Sequence, residues 1–131
     1  MLVTRQKTLR KFWYATVPID QLREGPKPFT LLGEKIVLWL DRDGTPAAVK
    51  DRCCHRTAQL SRGFVQAGNI VCGYHGWEYD RTGRCVRIPQ QPDAQIPAGA
   101  CTTSYRCEAR YGYAWVALDE PLQPIPVFQE D

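Results

Sequence analysis

The chain contains two histidines, and each stands close to a cysteine. The first grouping is Cys53-Cys54-His55 and the second is Cys72-Gly73-Tyr74-His75, with sixteen residues between His55 and Cys72. Such placement by chance is improbable, and paired Cys/His spacings are a sequence sign of a metal centre. The bland alternative is two unrelated buried histidines among scattered core thiols. Two thiolates and two imidazoles would suit tetrahedral zinc. Zinc modules, however, usually space paired ligands two to four residues apart, and the Cys53-x-His55 step is tighter than they favour. Here each loop also offers one ligand of each kind. A binuclear iron–sulfur cluster, with two cysteines on one iron and two histidines on the other, fits better, because two loops can then clasp it from opposite sides. The candidate ligands are therefore Cys53, His55, Cys72 and His75. A zinc-stabilised binding module is the rival from a different class.

The elements that must position these residues read as short strands. The chain has 131 residues, room for one core and one site. Hydrophobic residues at 44% and charged residues at 24% exclude a disordered chain. A net charge of +3 is too weak to argue for nucleic acid. No apolar run approaches the roughly 20 residues of a membrane span. Met1 to Lys11 carries four basic residues with no apolar stretch behind them, so it is no secretory signal. The expected compartment is the cytoplasm, where six cysteines serve as thiols or metal ligands instead of disulfides. Ten Gly and ten Pro break the sequence into apolar pieces rich in Val, Ile, Trp and Tyr, the pattern of an all-β sandwich or barrel. Strands are expected at Phe12–Val17, Phe29–Leu32, Lys35–Leu40, Ala47–Lys50, Ile70-Val71, Glu78–Asp80, Cys85–Ile88, Cys101–Ala109 and Tyr113–Leu118. The Ile19 to Pro28 connection has room for one helical turn, and Pro89 to Gly99 reads as a loop.

The spacing C-x-H, sixteen residues, C-x2-H resembles the Rieske [2Fe-2S] motif. The surrounding text resembles the N-terminal Rieske domain of aromatic-ring-hydroxylating and related non-haem iron oxygenases. The matching stretches are Asp51-Arg52-Cys53-Cys54-His55-Arg56, Leu60-Ser61-Arg62-Gly63, Cys72-Gly73-Tyr74-His75-Gly76-Trp77-Glu78-Tyr79-Asp80 and Gly83-Arg84-Cys85-Val86-Arg87-Ile88-Pro89. Phe12-Trp13-Tyr14 and Tyr111-Gly112-Tyr113-Ala114-Trp115-Val116 fit the flanking strands. The resemblance implies a small antiparallel β-sandwich or barrel with a two-loop cluster-binding subdomain. It places an N-terminal extension at 1–11, the Rieske domain at 12–120 with its cluster-binding part at about 51–88, and a Pro-rich tail at 121–131. It implies that Cys53 and Cys72 bind a buried iron, and His55 and His75 an outer iron near the surface. Cys54 departs from the family, which usually has Pro there, and reads as a small apolar filler.

One [2Fe-2S] cluster ligated only by protein leaves no position for substrate, so the implied role is one-electron transfer. In the family the electron passes from a reductase or ferredoxin, through the cluster, to a mononuclear iron held by two histidines and a carboxylate. This sequence has no third histidine for such a site. The implied partners are thus a reductase or ferredoxin and an oxygenase catalytic domain or subunit, with His75 on the exit path. A free-standing Rieske ferredoxin is the alternative. Respiratory Rieske proteins have a disulfide between the cluster loops and a Ser after His-Gly; here Tyr74 and Trp77 exclude both, and the expected potential is low within roughly −150 to +300 mV. Gly73 and Gly76 are expected to aim N–H groups at bridging sulfides, and Trp77 to pack in the core. Cys85, Cys101 and Cys107 are read as buried structural thiols on strands. From Lys50 to Arg87, seven basic residues (Lys50, Arg52, Arg56, Arg62, Arg81, Arg84, Arg87) face three acidic ones (Asp51, Glu78, Asp80). Either this is a solvated face or it is a docking collar for an acidic redox partner.

Overall fold

A computed structural model describes residues 7–54, 58–90 and 95–128. Among these residues, ten antiparallel strands form two sheets. The larger sheet contains β1 (Tyr14–Pro18), β2 (Lys27–Leu31), β3 (Glu34–Leu40), β4 (Pro46–Lys50), β9 (Ser104–Arg110) and β10 (Tyr113–Ala117), in the order β1-β10-β9-β4-β3-β2. Its two ends approach one another, so the sheet is nearly a closed barrel. The smaller sheet contains β5 (Phe64–Gln66), β6 (Asn69–Val71), β7 (Glu78–Tyr79) and β8 (Cys85–Arg87) in sequence order. It is reached from β4 and returns to β9, and these two strands are neighbours, with Ala48 opposite Tyr105 and Val49 opposite Ser104. The all-β fold with a two-loop excursion is as expected.

One helical turn, α1 (Ile19–Leu22), follows β1 in the connection with room for it, and its Leu22 is buried. β2 begins at Lys27, two residues before the expected start. Proline 28 does not block it, because β2 is an edge of the sheet, where a missing N–H costs no ladder bond. Pro18 ends β1 at the opposite edge for the same reason. β5 was not expected from sequence. Phe64 and Gln66 on it are exposed, so it lacks the apolar alternation that marks a strand. The alternating stretch from Cys101 forms a strand only from Ser104, and Cys101 makes a single bridge with Arg84.

Two cores result. One lies inside the barrel and includes Val17, Leu22, Ile36, Leu38, Ala114 and Val116. The other lies between the sheets, with Val37, Trp39, Ala47 and Val49 of β3 and β4 facing Cys53, Leu60, Ile70, Cys72, Tyr79 and Cys85. Residues on β3 therefore alternate between cores, as the two-residue period of a strand dictates. The Trp39 indole N–H also donates to the Gly68 carbonyl at 2.9 Å, tying the barrel to the smaller sheet.

Candidate metal centre

The first loop leaves β4 and is closed at its base by one buried carboxylate. The Asp51 N–H donates to the Lys35 carbonyl at 2.9 Å, which fixes Asp51 to β3. Its Oδ1 accepts the Ser61 N–H at 2.7 Å and its Oδ2 the Ser61 hydroxyl at 2.6 Å. Inside that clasp the Cys53 N–H donates to the Ala58 carbonyl at 2.9 Å. The clasp turns Cys53 fully inward while Cys54 stays exposed. His55 and Arg56 lie outside the described residues.

The second loop joins β6 to β7. The Cys72 N–H donates to the Trp77 carbonyl at 2.8 Å, and the Gly76 N–H to the Cys72 carbonyl at 2.9 Å. Gly76 has φ +77°, a conformation that favours glycine, and a Cβ there would stand 3.2 Å from Pro89. The N–H groups of Tyr74 and His75 point at the Cys72 sulfur. His75 is half-buried and meets the exposed Tyr74 ring edge-on, centroids 4.1 Å apart. The Gln90 amide donates to the His75 carbonyl at 2.6 Å, bringing the segment after β8 against this loop. The two loops touch at Gly63, where any Cβ would lie 1.8 Å from the Val71 carbonyl oxygen.

This packing brings Cys53 and Cys72 together below the surface, their thiols close enough to interact and both essentially inaccessible. Burial pushes the Cys72 thiol up, and Cys53 adds to that, against the opposing pull of the Tyr74 and His75 N–H groups. A bound cation would reverse this balance by holding sulfur as thiolate. Among the described residues, no three His, Cys, Asp or Glu side chains converge on a point that one ion could occupy. A buried sulfur pair beside a half-buried histidine suits a two-iron group, whose cysteines and histidines serve different irons.

Tyr79 is a residue of this site that sequence reasoning missed. Fully buried on β7, its hydroxyl lies 3.1 Å from Cys53 Sγ and 3.1 Å from Cys54 Sγ, and it accepts the Cys54 N–H at 3.1 Å. Burial first, and then its bonds to the two cysteines, push the phenol well above its ordinary value, so it stays protonated and able to donate. Its place in the Trp-Glu-Tyr-Asp stretch was visible, but a phenol reaching a thiol in another loop has no local signal. Asp51 and Ser61 likewise stood in the motif text without a role.

Several expectations need correction. Cys54 is more than a small apolar filler; it is exposed and its sulfur contacts the Tyr79 hydroxyl. Gly76 directs its N–H to a carbonyl. The N–H groups near the Cys72 sulfur belong to Tyr74 and His75. Cys101 is exposed and Cys107 is partly buried against the barrel core, so of that group Cys85 alone is fully buried. Trp77 does pack against the core between the sheets.

The profile of the Rieske [2Fe-2S] domain family matches residues 12–106. The chain is 38% identical over 128 residues to methylxanthine N1-demethylase NdmA of Pseudomonas putida, covering 92% of this chain and 36% of that protein. It is 40% identical over 104 residues to the vanillate O-demethylase oxygenase subunit of a Pseudomonas species, covering 79% of this chain and 28% of the relative. The structure of Pseudomonas putida NdmA superimposes with a TM-score of 0.90 at 36% identity, covering 95% of this chain and 40% of NdmA. The chain thus spans roughly a third of the length of these curated relatives. It belongs to the Rieske [2Fe-2S] domain family, and its similar proteins include a demethylase and an oxygenase subunit. As a Rieske domain it binds one [2Fe-2S] cluster and has an electron-transfer role. No helix among the described residues is long and apolar enough to cross a membrane.

Proposed function

We propose that this domain carries single electrons from a reductase or ferredoxin toward a non-haem iron oxygenase centre outside the present sequence. Its ligands are Cys53 and Cys72 on the inner iron, and His55 and His75 on the outer iron. The observation that supports this best is the buried Cys53–Cys72 sulfur pair, brought together by two loops that each also supply a histidine. When bound, the cluster takes up one electron and releases it again. The residues of the chain hold it and set its surroundings. Asp51 and Ser61 hold the first loop to the barrel, and the Cys72–Trp77 backbone bond holds the second closed. Tyr79 brings a hydroxyl to the Cys53 sulfur, and the Tyr74 and His75 N–H groups face the Cys72 sulfur. His75 lies beside exposed Tyr74 where a partner can approach, and it serves as the exit toward the acceptor.

The domain limits proposed are 12–120, with 51–88 as the cluster-binding part, flanked by an extension at 1–11 and a tail at 121–131. The compartment proposed is the cytoplasm, in keeping with six cysteines of which none is in a disulfide. The oxygenase assignment draws on the demethylase and oxygenase-subunit relatives.

The test is anaerobic purification followed by iron and sulfide analysis. Two irons with acid-labile sulfide per chain, and a reddish-brown colour, are expected. Cys53→Ser and Cys72→Ser should each abolish cluster retention. A colourless protein holding one zinc overturns the reading. For the exit role, His75→Ala and His55→Ala are compared after confirming that cluster assembles. Electron delivery to the acceptor should fall further in His75→Ala.

A further inference from the structure

We propose that Cys54 is a positioning residue: its thiol and its backbone N–H both donate to the Tyr79 hydroxyl oxygen, fixing that hydroxyl's single proton on the Cys53 sulfur. The proposal rests on Cys53 being a cluster ligand. A phenol has one proton to give and two lone pairs to fill. Three groups lie 3.1 Å from the Tyr79 oxygen: the Cys53 sulfur, the Cys54 sulfur and the Cys54 backbone nitrogen. The backbone N–H can only donate. A metal-bound Cys53 sulfur is a thiolate and can only accept. The Cys54 thiol can do either, and its choice decides where the Tyr79 proton goes. A hydrogen bond to a charged acceptor is roughly twice as strong as one between neutral groups. The Tyr79 proton therefore goes to Cys53, and the Cys54 thiol donates to the remaining lone pair. Every donor and acceptor at this oxygen is then used once. The three groups form a chain from Cys54 through Tyr79 to Cys53, and bonds in such chains strengthen one another by about 10–30%.

The consequence is electrochemical. A donor to a ligand sulfur favours the reduced cluster, which carries more negative charge, and so raises the midpoint potential. Cys54 acts on that donor from outside the ligand set. Valine at this position would keep apolar bulk beside Tyr79 and exclude water, while offering no side-chain proton.

The experiment measures midpoint potentials of the cluster-loaded wild type, Cys54→Val, Cys54→Ser, Tyr79→Phe and the Tyr79→Phe/Cys54→Val double variant. Cys54→Val should lie below wild type, and Cys54→Ser, which keeps a proton to donate, should restore the wild-type value. In the Tyr79→Phe background the valine substitution should add no further shift. A potential unchanged in Cys54→Val, or a shift that persists without the Tyr79 hydroxyl, overturns the proposal. Should Cys54→Val fail to load, the infrared S–H stretch of loaded wild type and Tyr79→Phe decides. The Cys54 band should move to higher frequency when its acceptor is lost, and an unmoved band overturns the proposal. Failure of the ligand assignment is a separate result, read as full iron content in Cys53→Ser.

Discussion

Ser61 gives the buried Asp51 carboxylate two hydrogen bonds, one from its backbone and one from its hydroxyl. Ser61→Ala removes the second and leaves one carboxylate oxygen short of a partner. A hydrogen bond to a charged group contributes about 1.5–3 kcal/mol, so a loss near the middle of that range is expected in denaturant unfolding. The variant should also release iron faster, because the clasp closes the loop that holds Cys53. Gly63→Ala should be worse. Its Cβ would sit 1.8 Å from the Val71 oxygen, backbone that cannot step aside without moving the second loop. A destabilisation of about 3 kcal/mol, the upper end for overpacking, is expected together with lower iron content. At this scale the sequence was uneven. The residues proposed as ligands stood out because cysteine and histidine are rare and closely spaced. Tyr79, Asp51 and Ser61 act through contacts between segments, which no spacing rule encodes. The low potential expected from sequence stands beside a Tyr79 donor that the sequence did not show. A redox titration above about +100 mV, within the roughly −150 to +300 mV range, would contradict the oxygenase-type assignment.

Strand β9 carries a pH prediction. Burial pushes the Cys107 thiol from 9.0 up to about 12, with Glu108 also raising it and Arg81 opposing. Tyr105, two residues earlier, is raised from 10.0 to about 12, again chiefly by burial. Both groups are neutral when protonated, so the folded state holds their protons more tightly than the unfolded chain does. Their contribution to stability is complete below about pH 9 and declines as pH rises toward 12. Cys107→Val removes one of these protons, and its unfolding midpoint should fall less steeply than wild type across that window. Parallel slopes would count against burial of this thiol. Most strands were legible at this scale, since alternation or a short apolar run marks an element packed on one face or on both. β5 was not, because both of its end residues face solvent. Cys101 was misplaced for the opposite reason: the alternation is real in sequence, but pairing with β4 starts only at Ser104.

Across the whole molecule, the charges near the proposed centre separate by depth. Asp51 and Glu78 are buried, held by Ser61 and by the Asn69 amide at 2.8 Å. Lys50, Arg52, Arg62, Arg84 and Arg87 are exposed. Arg81 is tied to Asp41 and to the Pro46 carbonyl, and so belongs to the barrel more than to a collar. Arg62, Gln59, Ala58, Gly73 and Tyr74 line an open groove of about 470 Å³ where the two loops meet. The exposed charge of this stretch is therefore mainly basic, with Asp80 the acidic side chain left unburied. Electron transfer with an acidic partner should slow as salt rises, and Arg62→Glu should weaken both the rate and its salt dependence. Rates indifferent to ionic strength would remove the docking role.

The excursion that holds the proposed centre begins and ends on neighbouring strands, β4 and β9. Topology alone would let a foreign excursion be grafted between them without rethreading the barrel. The shared floor sets a stricter condition. Val37, Trp39, Ala47 and Val49 would lose their cover, and the Trp39 indole its acceptor at Gly68. A successful chimaera must therefore supply a carbonyl over that indole and apolar bulk over those four side chains. Compatibility between scaffold and transplanted loops is thus decided beneath the proposed centre, among side chains buried between the two sheets.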